Sequence, residues 1–289
     1  MTELKKPILS VELATHLGLK HQGSAESITK VSAISDQSSG ALVFATKIVS
    51  APKQHISYIT SSNLIPTEAN MTVMLSNNPR LDFIRAVDYL IERKHLSVKS
   101  YEKGIDRSVR IHPTAVVEPG CMILENSVIG AGAVVKQGSR IGKNCIIGEN
   151  AIIGADGFGF ERDKNGNPIH FTHLCGVWIG DYVYVGASSI ISRGALWDTK
   201  IADHTKINAQ VLVGHNVKIG RASYLHAGVV ASGGCIIGEQ CWIGTNSTVL
   251  EKIVIGDNTT IGSGAVVNKD CKAQSVFVGN PIRFLRNAK

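Results

Sequence analysis

An aliphatic residue returns at every sixth position of this chain, and that period rules out most of the ways a polypeptide can fold. Counting from Ile111 gives Val117, Ile123, Ile129, Val135, Ile141, Ile147 and Ile153. The count resumes at Ile201 and continues through Ile207, Val213, Ile219, Leu225, Ala231, Ile237, Ile243, Val249, Ile255, Ile261 and Val267. Between the two runs, Ile179, Val185 and Ile191 keep the period in a shifted frame. Neither an α-helix, at about 3.6 residues per turn, nor a strand, with its period of about 2, puts a lone aliphatic guide at every sixth position. Six residues do suffice for a short strand and a turn, with the guide pointing into a prism, which is the pattern of a parallel β-helix. Three such segments close a coil, so roughly eighteen residues make one rung. Many guides are followed by glycine or another small residue, and we expect glycine there to permit the tight corner.

Two stretches break the period. Residues 155–176 (ADGFGFERDKNGNPIHFTHLCG) carry glycine, asparagine, proline and two histidines, and read as an excursion loop; loops of this length in compact folds are usually functional or disordered. Residues 192–200 contain the frame slip and read as a smaller bulge. The first hundred residues lack the six-residue beat. Ser10–Leu19 reads as a short capped helix, and segments 41–45, 55–60 and 72–76 read as strands. Asn78-Pro79 opens an amphipathic helix with Leu81, Ile84, Val87 and Ile91 on one face and proline in its first turn. The expected fold is therefore mainly β, a parallel β-helix preceded by a small α/β domain. Its domains are 1–104, 105–278 and a short C-terminal tail, 279–289.

Composition narrows the function. The 289 residues carry a net charge of +7, which suits a phosphate-bearing partner. A clustered basic stripe with interleaved aromatics, the mark of nucleic-acid binding, is missing. No apolar run approaches the ~18 residues of a membrane span, and the N-terminus lacks a secretion signal, so a cytoplasmic protein without an integral membrane segment is expected. Six cysteines show no CxxC pair or zinc-ligand spacing, and reduced, buried thiols are the expectation.

Among ten histidines, His215 in VLVGHNVKIG stands out as a base. It follows the guide Val213 and Gly214, so its side chain should point away from the packed prism. One coil earlier lies Asp198, expected to hold and polarise the imidazole; one coil later lie Gly233 and Gly234, expected to leave space above it. A histidine oriented by an acid beside an open groove is the arrangement general-base chemistry needs near neutral pH. Gly157, Phe158 and Gly159 in GADGFGF are candidates for shaping a substrate loop. His204, His215 and His226 are eleven residues apart, which is not a rung, so they should not stack into a metal site, and no metal or permanently bound cofactor is expected. His226 and Asn208 read as a structural pair one rung apart.

The motifs GADGFGF (154–160), SRGALWDT (192–199) and GHNVKIG (214–220) occur in the order and spacing found in the UDP-3-O-(3-hydroxyacyl)glucosamine N-acyltransferases of lipid A biosynthesis, within the hexapeptide acyltransferase superfamily. The N-terminal domain is similar too, including the Asn78-Pro79 helix start, so the resemblance covers most of the chain. It implies a left-handed β-helix, a homotrimer, a UDP-sugar acceptor, and an acyl donor that is acyl carrier protein or a coenzyme A thioester. It also implies that His215 is the general base, and Asn216 beside it in the HN motif is taken as a substrate-binding residue. Phe44 matches the aromatic of the family's nucleotide domain, and Asn78 is carried with it as a substrate-binding residue. The family's Asn-Pro-Lys-Tyr-like stretch is replaced by Lys47–Ser50, and a second family histidine falls on Lys252. The chain ends on VGNPIRFLRNAK, which resembles acetyl-CoA-dependent relatives; by that resemblance Asn280 and Arg283 join Gly233, Gly234 and Lys252 in binding the donor. The ending favours a second reading, a short-acyl-CoA N-acyltransferase of a nucleotide-linked amino sugar for surface polysaccharide. A third, a non-catalytic solenoid scaffold, is opposed by the GHN motif.

Overall fold

The computed structural model describes residues 2–35, 38–46, 54–61, 71–102 and 104–288. The chain divides into two compact units. One comprises Met1–Val98 with Phe158–Leu174, and the other Lys99–Gly157 with Cys175–Lys289. The excursion thus folds with the N-terminal unit, and the residues from Lys99 onward fold with the repeats.

The N-terminal unit is a six-stranded sheet in the order β1-β3-β4-β5-β6-β2. Its strands are β1 (Thr2–Leu9), β2 (Lys20–Gln22), β3 (Ser27–Val31), β4 (Ala41–Ala45), β5 (Ile56–Thr60) and β6 (Met71–Leu75), with helices α1 (Ser10–Leu17) and α2 (Pro79–Glu92). The strands β3 to β6 are parallel, and β1 and β2 are antiparallel edges. The central strands β4 and β5 are buried nearly throughout, as expected where both faces of a parallel sheet are covered. Of the periodic face of α2, Leu81, Ile84 and Val87 are buried and Ile91 is partly exposed, while Phe83 and Leu90 beside it are also buried. Asn78 caps α2, its side-chain oxygen accepting from the Leu81 amide at 3.2 Å, with proline at the position where no amide is needed. The expected cap of α1 is different. Ser10 is the helix's first residue, and its hydroxyl accepts from the Glu26 amide at 3.1 Å and pairs with His21 Nε2 at 3.0 Å. The excursion is also more ordered than a loop: Phe160–Arg162 and Pro168–His170 form an antiparallel hairpin. At its turn, Asp163 Oδ1 accepts from the amides of Asn165 and Asn167, both at 2.8 Å.

The second unit is a parallel β-solenoid in which the guides occupy three sheets. Face A holds Ile111, Ile129, Ile147, Val185, Ile207, Leu225, Ile243 and Ile261 in register. Face B holds Val117, Val135, Ile153, Ile191, Val213, Ala231, Val249 and Val267. Face C holds Ile123, Ile141, Ile179, Ile201, Ile219, Ile237 and Ile255. From Ile123 onward these guides are 0 to 2% exposed and form one continuous core. The frame-shifted run is an ordinary rung: Ile179, Val185 and Ile191 pair above and below with the neighbouring guides, because the extra residues on either side loop out of the wall.

Glycine serves the corners differently from the expectation. At Gly214 and Gly220, directly after a guide, the backbone is not left-handed; an added Cβ would lie 2.8 Å from the Gly233 nitrogen and 2.5 Å from the Gly238 carbonyl carbon. Close stacking of the next rung demands the missing side chain. The left-handed residue comes three positions after the guide, as at Asn144, Gln210, Asn216, Asn246 and Lys252, where asparagine is tolerated because its side chain can bond locally.

None of the six cysteines is in a disulfide, and all are buried in this unit. Cys145 and Cys241 donate to the carbonyls of Gly180 and Gly256 in adjacent rungs, at 3.1 and 3.2 Å. Burial pushes the thiols of Cys121, Cys145 and Cys271 up to about 11 and that of Cys235 up to about 12.

Candidate active site

His215 sits at the corner between faces B and C, two residues after the guide Val213. Its Nδ1 lies 2.9 Å from the side-chain oxygen of Asn216. Two further contacts fix which end of that amide is oxygen. Asn216 Nδ2 donates to the Trp197 carbonyl at 2.6 Å, and Asn216 Oδ1 accepts from the Ala195 amide at 3.3 Å. An amide oxygen can only accept, so Nδ1 of His215 must carry the proton, and in the neutral ring the lone pair is on Nε2. A Cβ at position 233 would lie 2.7 Å from that Nε2, so glycine there keeps a side chain out of the imidazole's approach, as the sequence suggests.

The orienting group differs from the expectation. Both oxygens of the Asp198 carboxylate are committed to the frame: Oδ2 accepts from Lys99 Nζ and Oδ1 from the Gly176 amide at 2.9 Å. It is Asn216, assigned from the sequence to substrate, whose side chain meets Nδ1. For Lys99, burial works to lower the pKa, but the hydrogen bond and charge of Asp198, with Tyr101 beside it, hold it above the ordinary lysine value. The ammonium therefore stays charged, and its contact with Asp198 ties the bulge to the start of the repeats.

The bulge at 192–198 is thus what presents the Trp197 carbonyl and the Ala195 amide to Asn216. It is pinned by Arg193, 6% exposed, whose Nε donates to the Cys175 carbonyl at 2.9 Å and whose guanidinium donates to the Gln137 carbonyl at 2.7 Å. Thr199 completes the frame by accepting from the Asn216 amide at 2.8 Å. Sequence reasoning missed Lys99, Arg193 and Thr199. The usable signal was an arginine and an acid flanking a frame slip, where a charged side chain has no hexad role.

The other assigned residues fall in several places. Gly234 and Lys252 continue the corner of His215 in successive rungs: the Gly234 amide donates to the His215 carbonyl at 2.8 Å and the Lys252 amide to the Gly233 carbonyl at 3.1 Å. Lys252 is exposed. Asn280 and Arg283, also exposed, lie past face A, where Arg283 pairs with Val278 in an antiparallel return strand, Arg283–Asn287; the Ile282 amide in the intervening turn donates to Val266 on face B at 3.0 Å. They belong to the corner between faces A and B. His204, His215 and His226 occupy three different corners, as their spacing requires. In the N-terminal unit, the Phe44 ring lies 4.9 Å from that of Phe83, which in turn meets Phe171 at 6.0 Å, while the Asn78 side chain is engaged as the helix cap. Phe158 is 89% exposed and Gly157 is buried. At Gly159 an added Cβ would lie 3.0 Å from His173 Cε1, so this glycine admits a neighbouring ring. Lys47–Ser50 lie outside the described residues. No helix among the described residues is long and apolar enough to cross a membrane.

Comparison with known proteins agrees with the repeat. Residues 104–137 and 234–269 match the bacterial transferase hexapeptide family (six repeats), and residues 138–156 match the hexapeptide repeat of succinyl-transferase. The chain is 35% identical over 175 residues to the UDP-3-O-acylglucosamine N-acyltransferase of Herminiimonas arsenicoxydans, covering 61% of this chain and 45% of that protein. It is 37% identical over 126 residues to the enzyme of the same name from Delftia acidovorans, covering 44% and 37%. The chain thus spans less than half the length of these curated relatives. A solved structure of UDP-N-acetylglucosamine acyltransferase from Campylobacter jejuni shares the fold, with a TM-score of 0.52 and 21% identity over 62% of this chain and 75% of that one.

Proposed function

We propose that this chain is an N-acyltransferase of lipid A biosynthesis, moving an acyl group from a phosphopantetheine thioester to the amino group of a UDP-linked (acyl)glucosamine. The observation that carries the reading is the His215–Asn216 pair, whose hydrogen bond at Nδ1 leaves the lone pair of the neutral ring on Nε2 and so supports a role as base; the curated relatives' names supply the substrate class. In this reaction the amine nitrogen attacks the thioester carbonyl, and Nε2 takes the proton as the C–N bond forms. The C–S bond then breaks and the proton passes to the departing sulfur. Gly233, Gly234 and Lys252 continue the corner beyond the imidazole and offer the thioester arm a path; Asn280 and Arg283, at the corner between faces A and B, would meet its phosphate end only from a neighbouring subunit. Phe44, Gly157, Phe158 and Gly159 are the candidates for the sugar nucleotide. The working form is a homotrimer in the cytoplasm, with acyl carrier protein or acyl-CoA as donor and no resident cofactor.

The test is to incubate the purified protein with UDP-linked amino sugars and either a long-chain 3-hydroxyacyl carrier protein or acetyl-CoA, and to follow amide formation by mass spectrometry. Turnover with the first donor supports the lipid A reaction; turnover with acetyl-CoA alone moves the chain to the short-acyl reading. His215→Ala should reduce the rate ~100- to 10,000-fold, the usual contribution of a positioned base, with circular dichroism unchanged. A variant at near-normal rate removes His215 from the chemistry.

A further inference from the structure

Directly beneath His215 the coil is irregular for two rungs in succession. The position two residues after each face B guide forms a column that runs Gln137, Ala155, Arg193, His215 and Gly233. On the rung of Ile153 the chain leaves the wall after Ala155 and resumes on face C only at Val177. On the rung of Ile191 the bulge carries it outward until face C resumes at Thr199.

The rung of His215 therefore lacks the footing of a regular corner. Where the coil is regular, the left-handed residue's amide donates to the rung beneath, as Gly234 does to the His215 carbonyl at 2.8 Å and Lys252 to the Gly233 carbonyl at 3.1 Å. The corresponding amide of Asn216 goes to the Thr199 hydroxyl instead. What stands below His215 in the column is the buried Arg193. Its amide donates to the Ala155 carbonyl at 2.7 Å, where the excursion departs. Its Nε donates to the Cys175 carbonyl, where the excursion returns, and Nη2 to the Gln137 carbonyl one rung further down. Nη1 lies 3.8 Å from the Asp156 carboxylate. A Cβ at Gly138 would stand 3.0 Å from Nη2, so glycine there leaves room for the guanidinium. The side chain thus occupies the corner that the excursion vacates. Taking a cation out of water is costly, and what this one fixes is the chain that follows it. Gly194 donates to the Gly176 carbonyl at 3.1 Å and accepts from the Cys175 amide at 3.0 Å; Ala195, next in sequence, donates to Asn216 Oδ1, which meets His215 Nδ1.

We infer that Arg193 is a positioning residue for His215: its guanidinium stands in for the vacated corner and holds the Ala195 amide and the Trp197 carbonyl where they orient Asn216 and, through it, the imidazole. The inference deepens the acyl-transfer reading and rests on it for turnover alone, since the orientation of the ring is a property of the protein without substrate. The planar fork is what bridges the two carbonyls; lysine keeps the charge but offers only a single ammonium.

The test uses the full chain and nitrogen–proton correlation spectra of its histidine rings, with the His215 signals identified by their loss in His215→Gln. In the unaltered protein the ring should be one tautomer, protonated at Nδ1, because the partner at one nitrogen decides the other. In Arg193→Gln and in Arg193→Lys the two ring nitrogens should move toward the average of both tautomers. There kcat should fall about tenfold or more while both KM values stay within about twofold, the pattern of a group needed only as the reaction proceeds. Arg193→Lys, which keeps the charge and most of the volume, decides the matter if Arg193→Gln does not fold. A ring and a kcat unchanged in either folded variant, with only the urea midpoint lowered, overturns the inference, as does an Nε2-protonated ring in the unaltered protein. If the ring responds as expected but the unaltered protein transfers no acyl group, the acyl-transfer reading falls and the positioning role stands.

Discussion

Asn216 fills the corner position that rung after rung gives to a left-handed residue, with φ of 62°, and the same residue sets the proton on His215. The two duties can be separated. Glycine adopts that conformation without strain, so Asn216→Gly should keep the coil and delete only the amide. We expect kcat to fall at least tenfold, and by no more than the ~100- to 10,000-fold contributed by the base itself, while the acceptor KM changes little. The pH dependence of kcat should move as well, since the imidazole loses the acceptor that fixes its tautomer, whereas Asn216→Asp, which keeps an oxygen there, should retain more activity. An unchanged rate and pH profile in Asn216→Gly would leave the asparagine as a corner residue alone.

At the scale of the strand, inward and outward neighbours differ sharply. In Lys218–Ile219 the isoleucine is 2% exposed and the lysine faces out. Ile219→Ala should cost about 2–5 kcal/mol, the range for emptying a packed aliphatic site, and Lys218→Ala within ~0.5 kcal/mol, both read from urea denaturation. Equal costs would mean that the prism interior is not the stabilising core. The solenoid was legible because its period is unlike that of any other element, so each guide votes for the same answer. The strands β1, β2 and β3 carried no comparable period and were missed, and the antiparallel hairpin at 160–170 was hidden by turn-forming residues. In the candidate site, the closeness of Gly233 to the His215 ring was readable from their rung positions. The partner of the imidazole was not, because the bulge that supplies the Trp197 carbonyl and the Ala195 amide leaves the hexad frame, and with it the only rule for predicting what stacks on what. Asp198 was read as if it lay on a regular rung, whereas its carboxylate closes the bulge with Lys99 and Gly176.

For the molecule as a whole, large apolar side chains stand outward on every face of the solenoid: Trp242 at 48% exposed on A, Leu212 at 40% on B and Val254 at 40% on C. A homotrimer would cover part of this apolar surface. Light scattering at micromolar concentration should give three times the mass of the 30.9 kDa chain, and a stable monomer would count against a site shared between subunits. The cysteines carry a different consequence. The thiolate is the nucleophile that attacks a peroxide or a disulfide, and a thiol held near 11 or 12, as at Cys121, Cys145, Cys235 and Cys271, is almost never ionised at neutral pH, even where a reagent could reach it. The six sulfurs fall in two groups, Cys121 to Cys175 and Cys235 to Cys271, so both ends of the coil enclose them. The rate at which the protein ages in an oxidising medium is then the rate at which its coils come apart, and its sulfur chemistry keeps a record of its own unfolding.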